Sequence, residues 1–244
     1  MMLNRKQLPP FGVLDNIQLD IDEIRMYCEQ QGYLNTSLYN DVKASANSDI
    51  KQILEANHYA KNNFFKEDEA PSLEGEKYVQ LYLTGMDPTK RSKVFKLEQD
   101  NPKIRFRRLR KGDPHYLPEA DEHNYGVRNQ RVAGPLEELL NIFKAPLARV
   151  RFAAMAPGFS IKPHTDYDPT YITRFHLPIV TNDKCVLGAE QNGVVIEKHM
   201  PADGKLYFLN TGVKHWAVNN GETWRIHLLI DVKNQDDLAN LKIF

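Results

Sequence analysis

From residue 148 onward the chain is cut into short alternating segments by short polar turns, and this rhythm restricts the fold more than any other feature. Arg149 to Met155 alternates in polarity, and strand-like runs follow at 173–180, 185–189, 194–198, 205–209, 215–218 and 223–232. The separators are brief: Asn182-Asp183, Gln191-Asn192-Gly193, Ala202-Asp203-Gly204 and Asn219-Asn220-Gly221. Two-residue periodicity broken by Asn, Asp and Gly is the pattern of antiparallel strands joined by tight turns. Many such strands in succession predict a mainly β fold, a barrel or jelly roll.

Inside this region His164-x-Asp166 places an imidazole and a carboxylate two residues apart. At a strand end that spacing puts both side chains on one face, where they can grip one cation. His215, in Val-Lys-His-Trp, offers a third donor. Two His and one carboxylate on one side of a metal form the facial set of non-haem Fe(II) oxygenases, which keeps the opposite positions open. Arg174 and His176 are again two apart in an alternating run, and Arg225 lies in Thr-Trp-Arg-Ile-His-Leu-Leu-Ile-Asp, ten residues after His215. An Arg presents a planar, permanently charged fork to a carboxylate. A metal with a buried Arg suits a dicarboxylic cosubstrate, one end on the cation and the other on the guanidinium.

Composition narrows the class. Lys plus Arg equals Asp plus Glu, 32 each, which argues against a dedicated nucleic-acid or membrane-surface binder. Cys28 and Cys185 are the two cysteines, too few and too far apart for a disulfide framework or a thiolate metal site. No signal-peptide core and no run of eighteen apolar residues is present. A reduced, cytoplasmic setting is expected. Nothing in the sequence sets an oligomeric state.

The first half is expected to pack on the barrel as a flank rather than to form a second domain. The whole of 1–244 is read as one domain: 1–147 a helical and strand flank, 148–233 the jelly-roll core and 234–244 a closing helix. Ile17, Leu19 and Ile21 alternate as a short strand would, and 20–31 reads as a helix capped by Asp20 or Asp22 and ended by Gly32. A second helix is expected at 49–57, an acidic loop at 64–75, a strand at 78–83 and a helix at 135–143 with Pro135 in its first turn. The one basic cluster, Lys103 to Lys111, reads as a solvated charged face.

The spaced set Pro157-Gly158, Pro163-His164, Arg174-x-His176-Leu177, Asn210 in Phe-Leu-Asn-Thr-Gly, His215, and Arg225 ahead of Leu-Leu-Ile-Asp resembles the aspartyl/asparaginyl β-hydroxylase family of Fe(II)/2-oxoglutarate dioxygenases over about 148–233. The resemblance implies a double-stranded β-helix, a cupin-like jelly roll with iron near one mouth. It implies His164, Asp166 and His215 as ligands of Fe(II), and Arg225 on the distal carboxylate of 2-oxoglutarate. Arg174 and His176 would help to hold that cosubstrate. The animal members have glycine at the position of Asp166, so the full triad resembles the bacterial branch that includes free-proline hydroxylases. A serine that helps those animal enzymes to bind 2-oxoglutarate falls here at Ala153, with Ser160 a substitute.

On that resemblance the chain is expected to use O2 and 2-oxoglutarate to hydroxylate an sp3 carbon of an amino acid, free or in a peptide, with succinate and CO2 as co-products. Arg128, Arg151 and Asp168 are candidate contacts to the substrate's charged groups. His227 shares a face with Arg225 and is expected to be structural, and Trp216 and Trp224 to serve packing. Two other classes remain open: a cupin-like hydrolase or isomerase using Zn or Mn, and a binding module without chemistry.

Overall fold

The structure is a computed structural model, and it describes residues 2–36, 77–85 and 122–244. The expected helix at 49–57, the acidic loop at 64–75, the basic cluster at 103–111, His58 and His115 lie outside the described residues. The strands in chain order are β1 (Phe11–Leu14), β2 (Tyr78–Tyr82), β3 (Thr84–Gly85), β4 (Val127–Arg128), β5 (Leu147–Met155), β6 (Ser160–His164), β7 (Thr173–Val180), β8 (Cys185–Gln191), β9 (Val194–Lys198), β10 (Tyr207–Leu209), β11 (Lys214–Asn219), β12 (Arg225–Val232) and β13 (Leu241–Ile243). Among the described residues the α-helices are α1 (Ile21–Gln30) and α2 (Pro135–Asn141).

A seven-stranded antiparallel sheet runs β13-β1-β10-β7-β12-β5-β2, and a four-stranded one runs β6-β11-β8-β9. From β5 to β12 the chain passes repeatedly between the two sheets. That winding is the jelly-roll topology of a double-stranded β-helix. The sheets face one another without joining into a closed cylinder. Among the described residues no helix is long and apolar enough to cross a membrane.

Period two separates two environments on the large sheet. One face carries Val150, Phe152, Ala154, Phe175, Leu177, Ile179, Phe208, Ile226, Leu228 and Ile230, which form one core with Ile24, Cys28, Leu136, Leu139 and Leu140 of the helices. Burying each large apolar side chain stabilises the fold by about 1.5–3 kcal/mol. The opposite face, turned to the small sheet, carries Arg149, Arg151, Arg174, His176, Arg225, His227 and Asp231, all buried. The apolar face must offset the cost of desolvating that row.

The helices follow local rules. Glu23 N donates to Asp20 Oδ1 over 3.0 Å, an N-cap, and Gly32 takes a φ of 74° just past the helix end. Pro135 opens α2, and Leu136, Leu139 and Leu140 are its buried face.

The chain ends depart from expectation. The short strand is Phe11–Leu14 rather than 17–21; Phe11 pairs with Leu209, while Ile17, Leu19 and Ile21 only pack against the core. The segment 234–244 is a 3-10 turn at Asp236–Asn240 followed by β13, which pairs with β1. β1, β2 and β13 therefore extend the large sheet, so the described ends of the chain belong to it as well as flanking it. Free backbone groups at a sheet edge are satisfied by another strand more readily than by a short helix.

Candidate metal centre

His215 lies on β11 directly opposite His164 on β6. The register then shifts, with Ala217 opposite Ile161, so two residues on β11 span three on β6. This bulge breaks the two-residue period and brings His164 opposite His215 with its side chain still 40% exposed. The two imidazole rings stand with centroids 4.3 Å apart. Each Nδ1 meets a carbonyl two residues back: Lys162 O at 2.8 Å for His164 and Val213 O at 3.0 Å for His215. A carbonyl only accepts, so each Nδ1 carries the proton and each Nε2 keeps a lone pair for a cation.

Asp166 is two residues beyond the end of β6. Its place comes from contacts rather than strand pleat. Its backbone N–H donates to Thr211 O over 2.9 Å, and Arg174 Nη1 donates to its Oδ2 over 2.8 Å. His164 Nε2 is 4.0 Å from Asp166 Oδ1, and His215 Nε2 is 4.0 Å from Oδ2. One donor atom from each residue lies within 4.8 Å of the others, so a common point exists within about 2.8 Å of all three. Bonds of about 2.0–2.2 Å are then reached by movements of well under an ångström.

Charge states agree with ligation. Burial, and after it the His164 ring, pushes His215 down to about 4, so the ring is neutral near pH 7. Burial alone would raise the Asp166 carboxyl, but Arg174, His215 and His164 outweigh it and hold it below its usual range.

Arg174 reaches further inward. Its Nε donates to Asp231 Oδ1 over 2.7 Å and its Nη2 to Asp231 Oδ2 over 3.1 Å. Asp231 Oδ2 also accepts from Arg151 Nη1 over 2.9 Å. Burial would raise Asp231, but Arg174 and Arg151 hold it well below the ordinary carboxylate range.

At the other end of the row, Arg225 is buried with no carboxylate among the described residues. Its Nη1 lies 2.8 Å from Met155 Sδ and its Nη2 donates to His227 Nδ1 over 2.8 Å. Its Nε has no partner. Burial pulls this guanidinium down to about 10. His176 Nδ1 is 3.4 Å from His227 Nδ1. His227 Nδ1 already accepts from Arg225, so His227 carries its proton on Nε2 and His176 donates from Nδ1. That leaves the buried Nε2 atoms of both rings without partners. Burial first, then Arg225, pushes both histidines well below their usual value. Arg225 Nε–H and His227 Nε2–H are buried donors without partners among the described residues, and two donors suit an anion, whereas the lone pair on His176 Nε2 does not.

The other expected site residues fall elsewhere. Ser160 is exposed and paired with Val218 at the start of β6; the pleat turns it away from the interior that neighbouring Ile161 enters. It is no substitute for the missing serine at Ala153, which is buried opposite His227. Arg128 Nη1 bonds Asn141 at the end of α2, in exposed surroundings. Asp168 is occupied by a turn and the N-terminal segment: its carboxylate accepts from Thr170 N at 3.0 Å, Thr170 Oγ1 at 2.9 Å and Arg5 N at 3.3 Å. Arg151 stays with the interior row, its Nε buried and without a partner. Trp216 lies over Gly188, where an added Cβ would meet the indole at 2.0 Å, and Trp224 packs against the apolar core.

Asp231 and Thr211 are the contributors that the sequence reading passes over. Asp231 continues the alternation of Arg225 and His227, and that period was the available signal. Thr211 acts through its carbonyl, which no side-chain pattern reveals.

Residues 116–235 match the family model for aspartyl/asparaginyl beta-hydroxylase. No curated protein matches the chain. Among solved structures, a cupin domain from Bordetella pertussis is 20% identical, with 35% of this chain and 80% of that chain covered and a TM-score of 0.28. A predicted oxalate decarboxylase from Thermotoga maritima is 20% identical, with 40% and 72% covered and a TM-score of 0.27. CapF bound to an inhibitor is 16% identical, with 39% of this chain covered and a TM-score of 0.30; the matched part spans 28% of the CapF chain. The stretch that holds the triad, Arg225 and Asp231 is thus the part of the chain that matches the aspartyl/asparaginyl beta-hydroxylase family model.

Proposed function

We propose that this protein is an Fe(II)- and 2-oxoglutarate-dependent oxygenase that hydroxylates an sp3 carbon of an amino acid, free or within a peptide. The observation that carries the reading is the buried Arg225 guanidinium with no carboxylate among the described residues, in the same barrel interior as three metal-competent donors. A buried cation without a partner is costly, and an anionic cosubstrate removes that cost. A hydrolase or isomerase on the same barrel has no such need.

His164, Asp166 and His215 would hold the iron from one side and keep the remaining positions free. When bound, the metal with 2-oxoglutarate and O2 supplies the oxidising power for C–H hydroxylation, with succinate and CO2 as co-products. Arg225 would take the distal carboxylate of the cosubstrate, assisted by the Nε2–H of His227. His176, neutral and next to it, would accept no charge and so leave the site cationic until the cosubstrate enters. Arg174 keeps Asp166 ionised and oriented. Arg151, whose buried Nε has no partner among the described residues, would meet a substrate carboxylate. Arg225, Arg174, Asp231 and His215 are buried, which strengthens each of their contacts.

The test is a panel of amino acids and short peptides incubated with the protein, Fe(II), 2-oxoglutarate and O2. Succinate release together with a gain of one oxygen on a member of the panel is the expected result. Iron-dependent hydrolysis or isomerisation without succinate would replace this reading by the hydrolase or isomerase one.

A further inference from the structure

We infer that Asp231 is a positioning residue for the metal centre, aligning the ligand Asp166 through Arg174; the inference rests on the reading of His164, Asp166 and His215 as a metal site. Asp231 touches no ligand of that site itself. It grips Arg174 by two parallel contacts, Nε to Oδ1 at 2.7 Å and Nη2 to Oδ2 at 3.1 Å. Two contacts fix the plane of a guanidinium as well as its position. With the plane fixed, the third arm has one direction left, and Nη1 meets Asp166 Oδ2 at 2.8 Å. That contact fixes how the carboxylate stands to both imidazoles, with Oδ1 4.0 Å from His164 Nε2 and Oδ2 4.0 Å from His215 Nε2.

The anchor is itself anchored. Asp231 and Arg174 are register partners on β12 and β7, and Arg151 Nη1 donates to Asp231 Oδ2 at 2.9 Å. Asp231 is buried, as are both arginines. Two guanidinium groups that would repel one another are thus held at a single carboxylate. An amide at position 231 has one accepting oxygen and turns an N–H2 toward guanidinium donors. It cannot hold both arginines, and Arg174 would lose the fixed plane.

The experiment is a titration with Co(II) as the probe, read by calorimetry and by the absorption of the bound ion, on wild type, His215→Ala, Asp231→Asn, Arg174→Lys and the Asp231→Asn/Arg174→Lys pair. Near-ultraviolet circular dichroism checks the fold of each. Metal affinity in Asp231→Asn is expected to fall 10–100-fold, the range for groups that orient metal ligands, with an altered Co(II) spectrum. Arg174→Lys keeps the charge without the two-pronged contact and is expected to fall equally. The pair is expected to lose no more than either single change, because both act along one line. If Asp231→Asn does not fold, Arg174→Lys alone decides. Less than a threefold loss in a folded Asp231→Asn or, in its place, Arg174→Lys overturns the inference, as does full additivity in the pair. Undiminished Co(II) binding in His215→Ala overturns the metal-site reading instead.

Discussion

Arg225 Nη2 donates to His227 Nδ1 across 2.8 Å, and this hydrogen bond between a cation and a neutral ring stands where an ion pair would be expected. The guanidinium is buried, and neither of its close partners, a thioether and an imidazole, carries a negative charge. Among the described residues no carboxylate offsets this charge, a cost that a bound anion would remove.

Arg225→Met should separate the two sides of that relationship. Without cosubstrate the variant is expected to unfold at or above the wild-type temperature, because an unpartnered buried charge is gone. The affinity for 2-oxoglutarate should fall at least a hundredfold, in line with about 3–5 kcal/mol for one member of a buried pair. Thermal unfolding with and without 2-oxoglutarate measures both. Equal stabilisation of variant and wild type by 2-oxoglutarate would assign the carboxylate to another residue.

His215→Ala should abolish turnover and weaken Fe(II) binding, since a two-donor remnant lacks one of its nitrogens. Anaerobic iron titration and succinate release report on the two effects separately. Iron bound as tightly as in wild type would remove His215 from the ligand set.

The metal-free protein should lose stability as pH falls below about 6.5. His176 and His227 lie well below their ordinary value in the fold, and His215 is pushed to about 4. Below pH 6.5 the unfolded chain therefore takes up protons that the folded chain refuses. Stability is full above the unfolded value and falls until the folded value is passed. Each histidine contributes about 1.4 kcal/mol per pH unit in that window. Unfolding free energies from urea titrations at pH 7.5 and 5.5 should differ by roughly 4 kcal/mol for the three, and by less in His227→Gln. A flat profile would mean that these rings are already protonated in the folded state.

Asn219→Ala should be strongly destabilising without touching the triad. Asn219 Nδ2 lies 3.1 Å from Met155 O, 3.2 Å from Ala156 O and 2.9 Å from Thr223 O, and its Oδ1 accepts from Gly221 N. These bonds tie the end of β5 to the turn that leads into β12. Unmet carbonyls in a buried site cost about 1–3 kcal/mol each, so a fall of several degrees in Tm is expected. An unchanged Tm would show that water replaces the side chain.

Much of the site was legible before any fold was known. Arg174 and His176 on β7, and Arg225 and His227 on β12, share faces because a strand alternates, whatever its neighbours are. His164, Asp166 and His215 could be named from residue type and order. The reach of single side chains was not legible: Arg128 bonds Asn141, Asp168 caps its own turn and Ser160 is exposed, and residue type sets none of those outcomes.

The sequence by itself determined which residues of β5, β7 and β12 turn to the apolar core and which turn to the charged interior, since period two is a local property of the backbone. It likewise limited the start of α1 to Asp20 or Asp22 and set the Pro135 opening of α2, both decided within a turn of chain. Only the tertiary structure decided that β6 bulges before His164, that Thr211 holds Asp166 beyond the strand end, and that Asp231 joins Arg174 to Arg151. Those contacts bridge residues 57 and 80 positions apart. They depend on strand register, and register is fixed by the packing of whole sheets rather than by the spacing of residues along one strand.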